Sequence, residues 1–180
     1  MKKYIFVVVL VILCLSWVTF YYDTIVDVFY KIKEPYFLCP VILPKDNIIP
    51  IRSDAWGSGL FGAKRNGKRR HKGIDIVAQK GAYVFASKSG IAYTDWNKSG
   101  WGKYIVIKHP DGTKTLYAHL DEILIDNKSW VNQGRHIGLV GKTGNANIAG
   151  MVTHLHFEII ENDTSIDPLI KYLLPIEAKK

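Results

Sequence analysis

The first twenty-two residues constrain this chain more than any other feature. After Met1, Lys2 and Lys3, no charged side chain occurs from Tyr4 to Tyr22, a run of 19 residues dominated by Val, Ile, Leu and aromatics. As a helix it would span about 28 Å, close to the thickness of a bilayer core. A cleaved export signal is the competing reading. Its apolar core usually covers about 7 to 15 residues and ends in a small-x-small site, and no such site follows here. Leu13 ahead of Cys14 also fits a lipoprotein-type cleavage site poorly. The run therefore reads as an uncleaved transmembrane anchor over residues 4–22. Lys2 and Lys3 precede it and Asp23 and Asp27 follow it, so residues 1–3 form a cytoplasmic tip and the remainder is exported in a single-pass topology. Trp17, Tyr21 and Tyr22 suit the outer interface.

What remains of the 180 residues is room for one compact domain. Beyond the anchor there are 22 basic against 16 acidic residues. This excess favours an anionic partner, whether nucleic acid, lipid headgroup or acidic envelope polymer. The two cysteines, one of them inside the apolar run, do not form a disulfide scaffold. Residues 23–50 read as a stalk, because Pro35, Pro40, Pro44 and Pro50 interrupt any long helix there. Its apolar patches at 36–38 and 41–43 predict that part of it packs on the domain.

From residue 51 to 174 the pattern is mainly β. The runs 82–86, 90–93 and 103–108 are β-branched and aromatic, and Pro110-Asp111-Gly112 turns the chain into 115–120 as a hairpin. No repeat is visible. Only 168–174 reads as helix, with Asp167 placed to cap it, and 175–180 is a tail.

Four histidines fall into three clusters. In His71-Lys72-Gly73-Ile74-Asp75 the glycine lets an imidazole and a carboxylate converge, a donor pair suited to Zn²⁺ but common on surfaces. His119 ends an apolar strand, where most histidines are simply satisfied by neighbours. In His154-Leu155-His156-Phe157-Glu158-Ile159 the strand period puts His154, His156 and Glu158 on one face and the three apolar residues on the other. A catalytic zinc site needs three protein ligands and an open position. His71, Asp75 and either His154 or His156 can supply them. The remaining strand histidine and His119 are then free for proton transfer.

These motifs, together with Phe61-Gly62, Gly90, Gly138-Leu139-Val140-Gly141, Thr143-Gly144 and Asp167-Pro168-Leu169, resemble the lysostaphin-like zinc metallopeptidases of peptidoglycan, peptidase family M23. The resemblance runs from about Trp56 to Leu169. It implies a compact antiparallel β-sheet domain whose sheet floors a groove, one Zn²⁺ held by His71, Asp75 and His156, and a catalytic pair, His119 and His154. It further implies zinc-assisted hydrolysis of amide bonds in peptidoglycan peptides. Three ligands and a water complete such a site, so Glu158, on the face of His156, reads as a polar residue that supports a ligand or lines the groove wall and not as a ligand itself.

The chain departs from relatives that read Phe-Gly-x-Arg, since Ala63 is followed by Lys64 and only then Arg65. No tyrosine stands shortly before His71, which moves the expectation away from glycyl-glycine cleavage and towards stem-peptide cross-links. Gly138 to Thr143 ends like a phosphate-binding loop, but His136 occupies the position of its first glycine. The run Gly141-Lys142-Thr143-Gly144-Asn145 reads instead as a flexible groove wall. Lys64, Arg65, Lys68, Arg69 and Arg70 form a basic cluster that is either a solvated loop or an attractor of anionic wall polymers or substrate carboxylates. No nucleic-acid-reading pattern accompanies it. The alternatives are a non-catalytic relative that binds peptidoglycan or activates a cell-wall amidase, and a zinc-stabilised structural domain.

Overall fold

The computed structural model describes residues 2–65, 67–171 and 173–176. Helix α1 spans Lys2–Lys33 and has no buried residue. Among the described residues it is the one helix long and apolar enough to cross a membrane, with a mean hydropathy of 2.5 in its best window. It continues about three turns beyond Tyr22 into the segment expected to be a stalk. The physical reason is the position of the first breaker: nothing before Pro35 opposes helix, and the residue ahead of a proline is pushed out of the helical region. Glu34 N–H makes the last helical hydrogen bond, to Tyr30 O at 2.8 Å. Lys31 and Lys33 lie in the last turn, where cations complement the helix dipole.

The segment after α1 joins the folded body immediately. Glu34 is buried and accepts hydrogen bonds from Ser89 N (2.7 Å) and Ser89 Oγ (2.6 Å), while the Tyr30 and Trp130 rings meet at 5.7 Å. Phe37, Cys39 and Val41 belong to the hydrophobic core. Strand β1 (Phe37–Leu38) pairs in parallel with the last strand, β13 (Leu173–Leu174). The chain then forms a small hairpin from β2 (Ser53–Asp54) and β3 (Gly57–Ser58).

The main sheet is built from β4 (Ile74–Val77), β5 (Tyr83–Phe85), β6 (Gly90–Asn97), β7 (Gly102–Lys108), β8 (Lys114–Ile123), β9 (Ser129–Val131), β10 (His136–Val140), β11 (His154–Glu161) and β12 (Thr164–Ile166). Its central path runs β12-β11-β8-β7-β6-β9, all antiparallel, with β4 added to β11 and β10 joining β8 to β5. Alternation along these strands fills the core. Ile105 and Ile107 on β7, Tyr117 on β8 and Leu155, Phe157 and Ile159 on β11 are fully buried. The one polar atom among these side chains is satisfied: Tyr117 OH accepts from Ser87 N at 2.8 Å and from Thr115 Oγ1 at 2.9 Å.

The expected helix over 168–174 is not formed. Residues 168–170 make a turn, in which Asp167 Oδ1 accepts from Leu169 N at 2.9 Å, and the chain then enters β13. Pairing with β1 and burial of Leu173 against the core outweigh the local helical pattern. Within the expected tail, residues 177–180 lie outside the described residues.

Candidate metal centre and its histidine pair

The register of three strands assembles the site. β4 lies against β11 with Asp75 opposite His156, and β8 lies on the other side with Ala118 opposite His156. Asp75, His119, His154 and His156, from three distant parts of the sequence, are thereby brought to one end of the floor. Gly73 makes this approach possible, since a Cβ there would overlap the Phe157 carbonyl. His119 departs from regular strand geometry, with φ at 64°. Its N–H donates to Trp101 O at 2.8 Å instead of completing the ladder. A non-glycine residue in that region is strained, and such strain is tolerated where a side chain must be re-aimed.

His71, Asp75 and His156 each offer one ligand atom, all within 4.8 Å of one another, and all three residues are buried. His71 Nε2 lies 3.0 Å from Asp75 Oδ1, His156 Nδ1 lies 2.9 Å from the same oxygen, and the two nitrogens are 2.9 Å apart. Tetrahedral positions about 2 Å from one ion are roughly 3.3 Å apart, so the donor set fits a zinc-sized ion with little adjustment. The outer atoms fit as well. His71 Nδ1 faces Leu60 O at 2.9 Å and His156 Nε2 faces Glu158 Oε1 at 2.9 Å, which turns the opposite nitrogen of each ring to the centre. Glu158 is itself held by Ser165 Oγ at 3.1 Å.

Two arginines set the carboxylate. Arg52, buried, donates from Nε (3.1 Å) and Nη2 (3.0 Å) to Asp75 Oδ2, and its Nη1 donates to Asp54 Oδ1 at 2.5 Å. Arg65 adds a contact from Nη2 to Oδ2 at 3.3 Å. An arginine therefore does reach Asp75 despite the shifted spacing after Phe61-Gly62. Arg52 is the member of the site that sequence reasoning missed. It stands 23 residues ahead of its partner in an irregular segment, and no local pattern marks it.

The other two histidines are held differently. His154 Nδ1 lies 2.7 Å from Val152 O, and His119 Nδ1 lies 3.0 Å from Thr143 O. A carbonyl can only accept, so each ring carries its proton on Nδ1 and presents Nε2 as a free lone pair. His154 Nε2 is 3.9 Å from Asp75 Oδ1, and the His119 ring is 5.2 Å from His154 and 5.8 Å from His156. Burial, then the neighbouring His156 and His154, push His119 down to about 3. Burial likewise lowers His154, although Asp75 opposes it. For His156 burial acts downward, but the hydrogen bonds to Asp75 and Glu158 outweigh it and push the imidazole up to about 9. Burial disfavours the charged form of Asp75, yet His156 and His71 hold it far below the carboxylate range.

The wall expected to be flexible is pinned. Lys142 Nζ donates to Ile148 O (3.2 Å) and Met151 O (2.8 Å), and Thr143 Oγ1 donates to Leu120 O (2.8 Å) while accepting from Lys103 N (2.9 Å). Polar groups of the run satisfy neighbouring backbone, which fixes the carbonyl that orients His119.

The site is thus a β-sheet floor with three convergent His/Asp donors, a set that could hold a metal ion, beside two carbonyl-anchored imidazoles. The model of "Peptidase family M23" matches residues 69–168, more than half of the chain, and the chain belongs to that family. Over 114 residues it is 38% identical to the "Murein hydrolase activator NlpD" of Escherichia coli strain K12, covering 63% of this chain and 28% of the relative. Among solved structures, a zinc-containing peptidase from Vibrio cholerae matches with a TM-score of 0.60 and 30% identity, over 79% of this chain and 41% of that one. The catalytic domain of lysostaphin from Staphylococcus simulans matches with a TM-score of 0.54 and 29% identity, over 66% and 90%. The fold is thus lysostaphin-like, as the motifs imply. The chain spans well under half the length of the curated relatives it first matches.

Proposed function

We propose that this protein is a zinc-dependent peptidoglycan endopeptidase that hydrolyses amide bonds in stem-peptide cross-links, anchored in the cytoplasmic membrane by α1 with its β-domain on the outer side. The observation that carries this reading is the coexistence of a three-donor set with two separate imidazoles whose Nε2 atoms are free. A purely structural metal site has no use for the second pair. His71 Nε2, Asp75 Oδ1 and His156 Nδ1 would hold one zinc ion per domain. When bound, zinc would supply Lewis acidity that polarises a carbonyl and lowers the pKa of water towards about 7. The chain's own residues do the rest. One Nε2 of the His119/His154 pair accepts a proton from the attacking water as its oxygen bonds to the carbonyl carbon, and the imidazolium so formed passes that proton to the leaving amine as the C–N bond breaks. Their depressed basicity keeps both rings neutral near pH 7, as an acceptor must be.

The likeness to NlpD, a murein hydrolase activator by name, favours a second reading in which the groove binds peptidoglycan or a partner hydrolase without cutting. Zinc content and digestion of purified peptidoglycan, measured on the full chain in detergent, separate the two. The expected result is one zinc per chain, its loss in His71→Ala, Asp75→Ala or His156→Ala, and release of peptides that a chelator abolishes. Unchanged zinc in all three variants refutes the ligand set. Full zinc occupancy without cleavage removes the catalytic reading and leaves the activator.

A further inference from the structure

From Gly59 to Ile74 the chain carries Lys64, Arg65, Lys68, Arg69, Arg70 and Lys72 and no acidic residue. The fold draws these into one hairpin that grows out of the metal centre. Gly62 N–H donates to His71 O (2.9 Å), His71 N–H to Ala63 O (2.9 Å) and Arg65 N–H to Arg69 O (3.1 Å), with Lys64 and Arg70 bridged between them. Gly67, at φ 69°, makes the left-handed turn residue. The base of this hairpin is therefore the backbone of His71.

The cations divide by role. Arg65 turns inward to Asp75 Oδ2 (3.3 Å) and Ser58 O (2.8 Å). Lys64, Lys68, Arg69, Arg70 and Lys72 are exposed. Among the described residues, no acidic side chain lies within ion-pair distance of any of these five, whereas Lys31, Lys80, Lys88, Lys114 and Lys171 each have such a partner. Lys72 acts on Glu158 only through its longer-range field. Four like charges crowded on one short hairpin, with Lys72 directly after it, repel one another, a cost that an anion covering them would offset. Strand alternation places Arg69 on the face of Arg65 and His71, and Lys64, Arg70 and Lys72 on the other. Charge on both faces does not make a pocket for one anion. It makes a lip that meets many anions of a mesh at once.

We propose that the 62–71 hairpin is an electrostatic docking lip for the carboxylate-bearing peptide stems of peptidoglycan, drawing the polymer onto the groove beside it; this rests on the wall-directed reading above. Continuity with His71 favours carboxylates of the substrate itself over phosphates of an accessory polymer, because whatever the lip holds is delivered to the metal centre.

The test is co-sedimentation of the full chain, in detergent, with insoluble peptidoglycan freed of phosphate polymers, so that binding is read without turnover. The Lys64→Gln/Lys68→Gln/Arg69→Gln variant should bind about tenfold more weakly, and amidating the carboxylates of the peptidoglycan should weaken wild-type binding by at least as much while weakening the variant less. Rising salt should weaken the wild type more than the variant. Zinc content and thermal unfolding show that the variant is folded, and the charge-preserving Lys68→Arg/Arg69→Lys variant should bind like the wild type. Wild-type binding by the triple variant overturns the proposal. So does binding that ignores amidation but rises when phosphate polymers are left in place. A chain that docks in this manner without cutting defeats only the catalytic reading.

Discussion

Asp75 is bonded on both sides, and its two oxygens do different work. Oδ1 faces His71 and His156, while Oδ2 takes three guanidinium nitrogens from Arg52 and Arg65. The arginines fix the carboxylate so that one oxygen stays available to the centre, which is how outer partners orient metal ligands. His119 and His154 are held by carbonyls instead, and His119→Ala or His154→Ala should each retain zinc and fold while turnover falls roughly 10²- to 10⁴-fold, the usual contribution of a positioned acid or base. Parallel zinc assays and muropeptide release check this; near-normal cleavage by both variants would end the pair's assignment. The five histidine and aspartate positions were legible because their chemistry lies in residue type and spacing. Arg52 was not, because its role exists only once β4 is folded against the 51–59 segment. A further histidine carries no site chemistry: His109 is buried, with Nδ1 2.9 Å from Ser89 O and Nε2 2.9 Å from Thr115 Oγ1. Burial pushes it down to about 4, although Asp111 and Glu34 oppose this and Lys88 assists it. Against about 6.5 in the unfolded chain, its neutral form stabilises the fold above pH 6.5, and this is lost as pH falls from about 6.5 towards 4, on the order of 3 kcal/mol in all. Denaturant titrations across that window should show a shallower fall for His109→Gln than for the wild type; equal slopes would remove His109 as the cause.

At the level of elements, the site depends on how closely β4 and β11 approach. A methyl on Gly73 has no room against the Phe157 carbonyl, and the nearby Glu158 side chain closes the remaining space. Gly73→Ala should therefore force the two strands apart, lower the unfolding midpoint and weaken zinc together, since His156 and Asp75 face each other across that pair. A variant as stable and as zinc-replete as the wild type would contradict this. The strands themselves could be read from alternation of β-branched and aromatic residues, and the hairpin at 110–112 from its turn residues. The fate of 168–174 could not, because it is decided by what that end of the chain meets, whereas the extent of α1 follows the first breaker, Pro35, and not the end of the apolar run. Charged residues after Tyr22 end the apolar run without ending the helix, and Leu173 leaves a helical pattern to pair beside Phe37. Sequence periodicity reports a local preference, and here long-range pairing outweighs it.

For the molecule as a whole, the positive flank before the apolar run predicts that Lys2 and Lys3 stay in the cytoplasm while the β-domain lies outside. A reporter that works only after export, fused behind Lys180, should be active, and one that works only in the cytoplasm should be silent; the reverse pattern would rule the topology out. The junction between α1 and the sheet gives this arrangement a mechanical meaning. Glu34 leaves the last helical hydrogen bond and is at once buried on Ser89, and Gln133 Nε2 secures the following turn by donating to Tyr36 O at 3.1 Å. A catalytic head on a leash would sweep a hemisphere and sample bonds at every depth its tether allowed. On the proposed reading, with α1 in the membrane and the β-domain directed at the wall, a head mounted on such a strut would have its working height set by the length of a helix and would search by sliding sideways with its anchor, so that it would address one layer of the wall.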